Sequence, residues 1–511
     1  MPDISSTQER PAGVPALRTD TLADSILIVL ALTGVQRLVG FCRSVLFCRW
    51  LDPDQLGTWD MAFGFLLLAA PLVVLSLPGA FGRYVEHYRQ QGQLRTLLRR
   101  TTAICSATAL AAVLLVCWQQ ARVSQLVFGT PDRGGLVVLL ALSLLAVIAF
   151  NFLTELATAL RNVRLVSVVQ LINSLAFAGL GVGLILGWQS AAASVVLAYG
   201  GACLISSLVA TGWLWRVWRS LPEPDAALPH RTLWSKLMPF AAWVWTINLL
   251  VNLFELADRY MVVHYCRTGD PLAVVGQYHS SRVVPLLLVS VATMLGGILT
   301  PHLSCDWEAG RRERVSLRLN LFLKLLAFAL TAGAVLVLLA APLLFGVVFK
   351  GKFSGGEAVL PWTLTYCIWF ALAMVTLNYL WCVEKARLAG LALLAGLGVN
   401  VLLNWLLLPR LGLMGVVLAT SAGNLVVLIL VCGFSTMLGF RMDRGTWLML
   451  AVPPVVCLGP WLAMMVLAVL ALQALSSNEL LTPKEKSLLN KKWSEYAIRL
   501  RTFRTMQHVE Q

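Results

Sequence analysis

The chain is predicted to be an all-α polytopic membrane protein. It is expected to hold two six-helix bundles related by a pseudo-two-fold axis along the membrane normal, then a C-terminal apolar segment and an amphipathic tail helix. Three observations predict this. Of 511 residues, 58% are hydrophobic and 13% charged, and apolar runs of about 20 residues, each enough to cross hydrocarbon, recur along the whole chain. Short sequence echoes recur at an offset of about 220 residues. Lys and Arg gather in alternate loops.

A polar N-terminal segment, 1–23, leads into an apolar stretch of about 26 residues, too long for the core of a secretory signal peptide and without a cleavage site, so it is expected to remain as span 1. Spans 1 to 6 are expected near 24–50, 57–80, 100–119, 135–160, 164–187 and 192–217, an N-terminal bundle over 24–218. Spans 7 to 12 are expected near 237–263, 274–301, 314–340, 357–383, 386–408 and 414–437, a C-terminal bundle over 237–437. The linker between them, 219–236, holds Pro222, Pro224, His230, Arg231 and Lys236, a polar, Pro-containing boundary.

The halves read as repeats. Gly57-Thr58-Trp59 at the start of span 2 matches Gly276-Gln277-Tyr278 at span 8, an offset of 219, and SVVLAYG at 194–200 matches VLATSAG at 417–423, an offset of 223. Six spans per repeat is an even number, so the halves share orientation, an arrangement that places a central site between two rocking bundles.

The formal charge of +15 does not indicate nucleic-acid binding, because the basic residues follow topology. The N-terminal segment and even-numbered loops hold about 21 Lys and Arg against about 7 in the odd-numbered loops, which places the N-terminus in the cytoplasm. The loop 304–318, with four Arg, is read as a cytoplasmic topology signal with affinity for anionic membrane lipids. Eleven cysteines are scattered, mostly inside apolar spans, with no CxxC and no metal-ligand spacing, so no metal and no cofactor is expected.

Beyond span 12, residues 446–472 are apolar but broken by Pro453-Pro454 and Gly459-Pro460. Two readings stay open: a thirteenth span, or a re-entrant hairpin that keeps the basic tail on the cytoplasmic side. The tail, 482–504, opens with Thr482-Pro483-Lys484-Glu485, a capping pattern, and carries Leu489, Trp493, Tyr496, Leu500 and Phe503 as one apolar stripe among Lys and Arg. A helix lying on the membrane surface is expected; docking to a partner is the other reading.

Ionisable residues inside spans are costly and normally face protein or a wet cavity. Span 1 carries Arg37 and Arg43, and span 7 carries Glu255, Asp258 and Arg259. The last three stand at i, i+3 and i+4 on one helix face, where Glu255 and Arg259 can pair. Glu255 and Asp258 are candidates for proton or cation coupling; the competing reading is a structural salt-bridge cluster with Arg259 reaching to the interface. Asn248 and Asn252 share that face and extend it as a polar stripe. Arg282, after His279, Ser280 and Ser281, forms a polar run expected to line a cavity. Glu155, one turn from Asn151 and within two turns of Arg161, is read as a buried pair or a gate. Asp60 is expected at the interface, and Lys324 is expected to snorkel at the cytoplasmic end of span 9.

LNWLLLPRLGLMG over 403–415, followed by VVLATSAGNL, resembles the span 11–12 signature of polysaccharide flippases in the multidrug/oligosaccharidyl-lipid/polysaccharide exporter superfamily. RLVGFCRSVLFCRWLDPDQLGTW in span 1 and its loop, Asp258-Arg259-Tyr260, and GQYHSSRVVPLLLVSVATMLGGILTPHLS in span 8 are similar to the same family. The resemblance implies an inner-membrane transporter that moves a lipid-linked oligosaccharide to the outer leaflet for cell-surface polysaccharide synthesis. It implies a cationic cavity between two bundles and alternating access driven by an ion gradient, with proton or sodium as the coupling ion. A polysaccharide polymerase and glycosyltransferases are the expected partners. The last apolar region departs from the family's twelve or fourteen spans.

A polyprenyl-pyrophosphate sugar has an anionic head and an apolar tail, and the planar guanidinium of Arg suits the head. Arg37 is placed near mid-membrane and Arg43 about 9 Å further along the helix. The two do not share one face, whereas Gln36 and Arg43 do, with Gly40 between them. A multidrug cation antiporter would need acidic residues where span 1 offers two Arg. Flipping of the peptidoglycan lipid precursor fits the cations equally well. A membrane-embedded glycosyltransferase or polymerase is disfavoured by the lack of a metal-binding DxD, a long soluble domain or a large outward loop, so the chain is not expected to be an enzyme.

Overall fold

The computed structural model describes residues 22–220, 229–267 and 269–490. The start of the N-terminal segment, most of the linker, and the tail positions Trp493, Tyr496, Leu500 and Phe503 lie outside the described residues. The described residues form helices and no strand. In chain order these are α1 (Leu22–Trp50), α2 (Pro53–Val73), α3 (Phe81–Gln90), α4 (Leu94–Trp118), α5 (Gln120–Phe128), α6 (Gly134–Ala159), α7 (Val163–Gly187) and α8 (Ala192–Ser220). There follow α9 (His230–Tyr265), α10 (Pro271–Glu308), α11 (Arg312–Pro342), α12 (Ser354–Cys382), α13 (Ala386–Leu411), α14 (Leu413–Met437), α15 (Arg444–Ala451) and α16 (Pro460–Ser476). Twelve of the described helices, α1, α2, α4, α6 to α14, are long and apolar enough to cross a membrane, which makes the chain a multi-pass membrane protein. Short α3 and α5 lie in the connections before and after α4.

The chain divides into two compact units. The first comprises residues up to Arg43, Ala62–Leu126 and Thr130–Leu249; the second comprises Ser44–Met61, Val127–Gly129 and everything from Leu250. In the first, α8 packs against both α6 and α7, and α6 also packs on α3 and α4. In the second, α12 is the central helix, packed by α10, α11, α13 and α14, and α13 lies along α14. α12 buries residues on every side, among them Thr363, Tyr366, Trp369, Asn378 and Tyr379, as expected of a helix enclosed by others.

The second unit opens with a crossing that the repeat makes intelligible. Pro53 and Pro271 each stand at the first position of a helix, where a missing N–H costs nothing. One turn on, a Cβ at Gly57 would fall on the Leu272 carbonyl, and a Cβ at Gly276 on the Pro53 carbonyl. Both contacts are backbone on backbone, so only glycine fits. Positions 53 and 272, like 57 and 276, differ by the repeat offset of 219. The helix starts of α2 and α10 therefore pack on each other reciprocally, each glycine against the other repeat's backbone.

The C-terminal region is a broken element. α15 ends in a 3-10 turn, Pro453–Leu458, then Gly459 with φ 104° and Pro460 begin α16, whose 17 residues are fewer than the roughly 20 that span hydrocarbon. Both α15 and α16 pack on α11. Lys324 of α11 corrects the expectation of snorkelling: its side chain is 2% exposed, and its Nζ donates to Asp443 at 2.6 Å and to Glu485 at 2.8 Å. Asp443 also caps α15 through the Thr446 N–H at 2.8 Å. The Glu485 carboxylate accepts from the Thr482 N–H at 2.8 Å, so the capping pattern read in the sequence forms and starts the helix that covers 483–490. Sequence position alone suggests an interfacial Lys; the counter-charges lie more than 100 residues away, where periodicity cannot place them.

Replacing one member of a buried ion cluster strands the others. Lys324→Met is expected to destabilise the second unit by about 3–5 kcal/mol, read as a lowered midpoint in thermal unfolding of the detergent-purified protein, and Glu485→Leu added to it should restore part of the loss. Gly57→Ala is expected to destabilise by about 1–3 kcal/mol or more through overpacking; an unchanged melting midpoint in either case would refute the packing described.

Candidate substrate and coupling site

The crossing of α2 and α10 brings Asp60 against His279, one turn beyond the two glycines. His279 Nδ1 lies 2.8 Å from Asp60 Oδ1, and Arg259 Nε of α9 lies 3.1 Å from Asp60 Oδ2. The Asp60 side chain is 3% exposed and that of Arg259 7%. Asp60 is therefore not interfacial, and Arg259 neither reaches to the interface nor pairs with Glu255: counting from helix ends places both near a surface, but the packing of α9 and α10 covers them. Arg259 Nη1 and Arg282 Nε are buried without a hydrogen-bond acceptor. The Arg282 guanidinium lies over the Tyr278 ring, 5.1 Å from its centroid.

A second carboxylate anchors the other side of the same unit. Asp258 is 3% exposed. Its Oδ1 accepts from Asn400 Nδ2 at 2.8 Å and Asn404 Nδ2 at 2.7 Å, both on α13. Its Oδ2 accepts from the Thr420 hydroxyl of α14 at 2.7 Å and the Tyr278 hydroxyl of α10 at 3.2 Å. The Tyr278 and Tyr366 hydroxyls lie 3.2 Å apart, which extends the network to α12. Four donors on one carboxylate hold it in place. The Asn404 Oδ1 atom is buried without a partner, an oxygen available to a hard cation if the amides turn their oxygens inward.

Sequence reading found Asp258 but none of its four donors. Asn400 and Asn404 stand at i and i+4 in an otherwise apolar span, as do Thr420 and Asn424, and that spacing was a usable signal. The stripe above Asp258 is less coherent than expected. Glu255 is exposed and Asn252 half-buried, while Asn248, in the first unit, donates to the Ser76 hydroxyl at 3.1 Å. Ser76 and Leu75 are both left-handed, φ 48° and 52°, so Asn248 braces the turn that ends α2.

In the first unit, Gln36 and Arg43 share the face of α1 that meets α7. Gln36 Nε2 donates to the Ser167 carbonyl at 3.0 Å, and the Arg43 guanidinium lies 3.9 Å from the Phe177 ring centroid. Arg37 is off that face and exposed. Glu155 and Arg161 are each exposed and are not ion-paired with one another; Arg161 takes φ 58° in the turn after α6.

Asp52-Pro53-Asp54 has the spelling of a DxD, contrary to its expected absence. Asp52 pairs with Lys352 at 2.8 Å and Asp54 accepts from Gln55 at 2.8 Å. Among the described residues no group of three His, Cys, Asp or Glu could hold a metal ion.

A family model described as polysaccharide biosynthesis protein matches residues 22–305. The lipid II flippase MurJ of Bacillus subtilis (strain 168) is 21% identical over 445 residues, which cover 78% of this chain and 79% of that protein. Among solved structures, lipid II flippase MurJ in an inward closed conformation superposes with a TM-score of 0.67 at 13% identity, covering 89% of this chain and 94% of that one. An inward-facing multidrug resistance transporter of the MATE family superposes with a TM-score of 0.63 at 13% identity, covering 79% and 94%. These likenesses show the fold, and the family match covers more than half of the chain. The chain belongs to the polysaccharide biosynthesis protein family.

Proposed function

We propose that the chain is a flippase for a lipid-linked oligosaccharide, carried on a polyprenyl pyrophosphate and destined for cell-surface polysaccharide, in the inner membrane with its N-terminus in the cytoplasm. It works by alternating access and hands its cargo to a polysaccharide polymerase, receiving it from glycosyltransferases. The observation that carries this reading is the imbalance of intramembrane charge: Arg37 of α1 is exposed, whereas the deepest carboxylates, Asp60 and Asp258, are enclosed and met by donors within the second unit. After Asp24, α1 offers a substrate head arginines and no acid, which suits a pyrophosphate and disfavours an organic cation. Arg37 meets the phosphates, Arg43 is aimed by its stacking on Phe177, and Arg282 holds the Tyr278–Tyr366 side of the second unit in register. The likeness to lipid II flippases favours a second reading, in which the saccharide is the peptidoglycan precursor; the head-group chemistry is the same.

Coupling is assigned to Asp258. A hard monovalent cation prefers oxygen ligands, and Asp258, Thr420, Asn400 and Asn404 converge four oxygen-bearing side chains on one buried point. Sodium there would replace amide and hydroxyl donors as the partner of the carboxylate; a proton would neutralise it and release the same donors. Either event loosens α9 from α13 and α14 or draws them together, the differential contact that an ion-driven transition needs.

Flipping of a fluorescent lipid-linked saccharide in proteoliposomes tests the first part. Arg37→Ala is expected to slow it by about ten- to a hundredfold, the loss of a charge-assisted hydrogen bond of about 1.5–3 kcal/mol, with Arg37→Lys intermediate; wild-type rates in both Arg37→Ala and Arg282→Ala would sink the cationic site. Parallel assays with an oligosaccharide repeat unit and the peptidoglycan precursor decide between the two cargoes. Asp258→Asn is expected to flip down a substrate gradient but to lose acceleration by an imposed sodium or proton gradient; retained acceleration would place coupling elsewhere.

A further inference from the structure

Pro453 and Pro454 offer no N–H to the helical turn before them. Hydrocarbon supplies no donor in their place, so broken backbone at membrane depth has to be met by protein. In the second unit α12 meets it. The Trp369 indole Nε1 donates to the Leu450 carbonyl at 3.1 Å, the bond that Pro454 cannot make. The Thr365 hydroxyl, which donates to the Pro361 carbonyl at 3.0 Å, also reaches the Pro453 carbonyl and Cys457 Sγ, each at 3.4 Å. Thr365 stands about 16 Å along α12 from Ser354, close to the middle of the helix. The turn at Gly459, two residues past Cys457, is therefore held at the depth of that middle and falls short of the Ser354 end. Length agrees with this. α15 with its 3-10 turn rises about 24 Å and α16 about 25 Å, each less than the roughly 30 Å of hydrocarbon.

The two ends of this element lie together. Asp443 precedes α15 and Glu485 follows α16, yet both carboxylates touch the single ammonium of Lys324 on α11. A Cβ at Gly445 would fall on the Leu480 carbonyl, so the backbone entering α15 runs against the backbone that has left α16. Lys486 Nζ then donates to the carbonyls of Leu475 at 3.3 Å and Ser477 at 2.6 Å, tying the end of α16 to the helix that covers 483–490. We infer that residues 444–476 form a re-entrant hairpin. It enters from the face where α10 ends and α11 begins, turns inside the membrane at Gly459-Pro460, and leaves by the same face. Gly459 takes φ 104°, a conformation suited to glycine at the tip, and Pro460 opens the returning helix. Lys324 is the positioning residue of the hairpin, one charge closing both of its limbs at the base. A single thirteenth span would carry Glu485 to the opposite face from Asp443, out of reach of that ammonium. Charge bias points the same way: the sequence after 485 is rich in Lys and Arg, and the hairpin leaves it on the face that holds the four Arg of 304–318.

Cysteine mapping of the full-length protein in intact and permeabilised spheroplasts, with a membrane-impermeant maleimide and peptide mass spectrometry, tests the hairpin. Cys305, exposed at the end of α10, is a native marker for one face. Ser354→Cys, at the exposed start of α12, marks the other. Ser487→Cys, an exposed position on the helix after 482, is expected to be labelled under the same conditions as Cys305 and not under those that label Ser354→Cys. Leu458→Cys, 66% exposed beside the turn, is expected to be labelled from neither face, though it reacts once the protein is denatured. Labelling of Ser487→Cys together with Ser354→Cys would make the element a thirteenth span and overturn the hairpin. Labelling of Leu458→Cys from either face would take the turn out of the membrane and overturn it as well. Labelling of Cys305 and Ser487→Cys together in intact spheroplasts would support the hairpin and reverse only the cytoplasmic orientation proposed above for the chain.

Discussion

A carboxylate enclosed by apolar helices is tolerated only where donors reach it, since an ionised group stripped of water costs several kcal/mol. The second unit meets this constraint twice. Asp60 ties the start of α2 to α9 and α10 through Arg259 and His279, and Asp258, the residue next to Arg259, ties α9 to α10, α13 and α14. Adjacent residues on one helix thus face in different directions to opposite partners, Asp258 to hydroxyls and amides, Arg259 to a carboxylate. That arrangement fixes the rotation of α9 about its own axis.

Charge inside the two units is met in two ways. In the second, opposite charges face each other inside the protein, and Lys324 repeats the pattern with Asp443 and Glu485. In the first, arginines meet aromatic faces, Arg43 on Phe177, Arg95 on Trp218 and Arg219 on Trp215, as Arg282 meets Tyr278 in the second. A guanidinium on a ring keeps its hydrogen-bond donors pointing outward, whereas one in an ion pair has turned them inward.

The twelve spans, the capped helix at 482 and the repeat were legible in the sequence because each rests on local pattern: apolar length, a Thr-to-Glu spacing, or a conserved offset between two glycines. The pairing of charges was not legible. A spacing of four suggests Glu255 as the partner of Arg259, yet Asp60, which it meets, lies 199 positions earlier. Asp258 is recognisable as an ionisable residue inside a span, but its donors come from three other helices. Distance from a helix end suggests the interface for Lys324 and Asp60, but it takes no account of a neighbouring helix covering that end. Periodicity reports which residues share a face; which face meets which is decided by tertiary packing.

The crossing of α2 and α10 carries one more consequence. In a two-fold contact between identical subunits residue i meets j and j meets i, and a residue on the axis itself meets its own copy. Here positions 60 and 279, separated by the repeat offset of 219, face each other as Asp against His at 2.8 Å. Two separate identical chains could offer only Asp against Asp or His against His at that point. Joining both repeats in one polypeptide lifts that restriction, so a contact that is reciprocal in its backbone has become complementary in its side chains, and an acid and a base occupy what is geometrically the same seat.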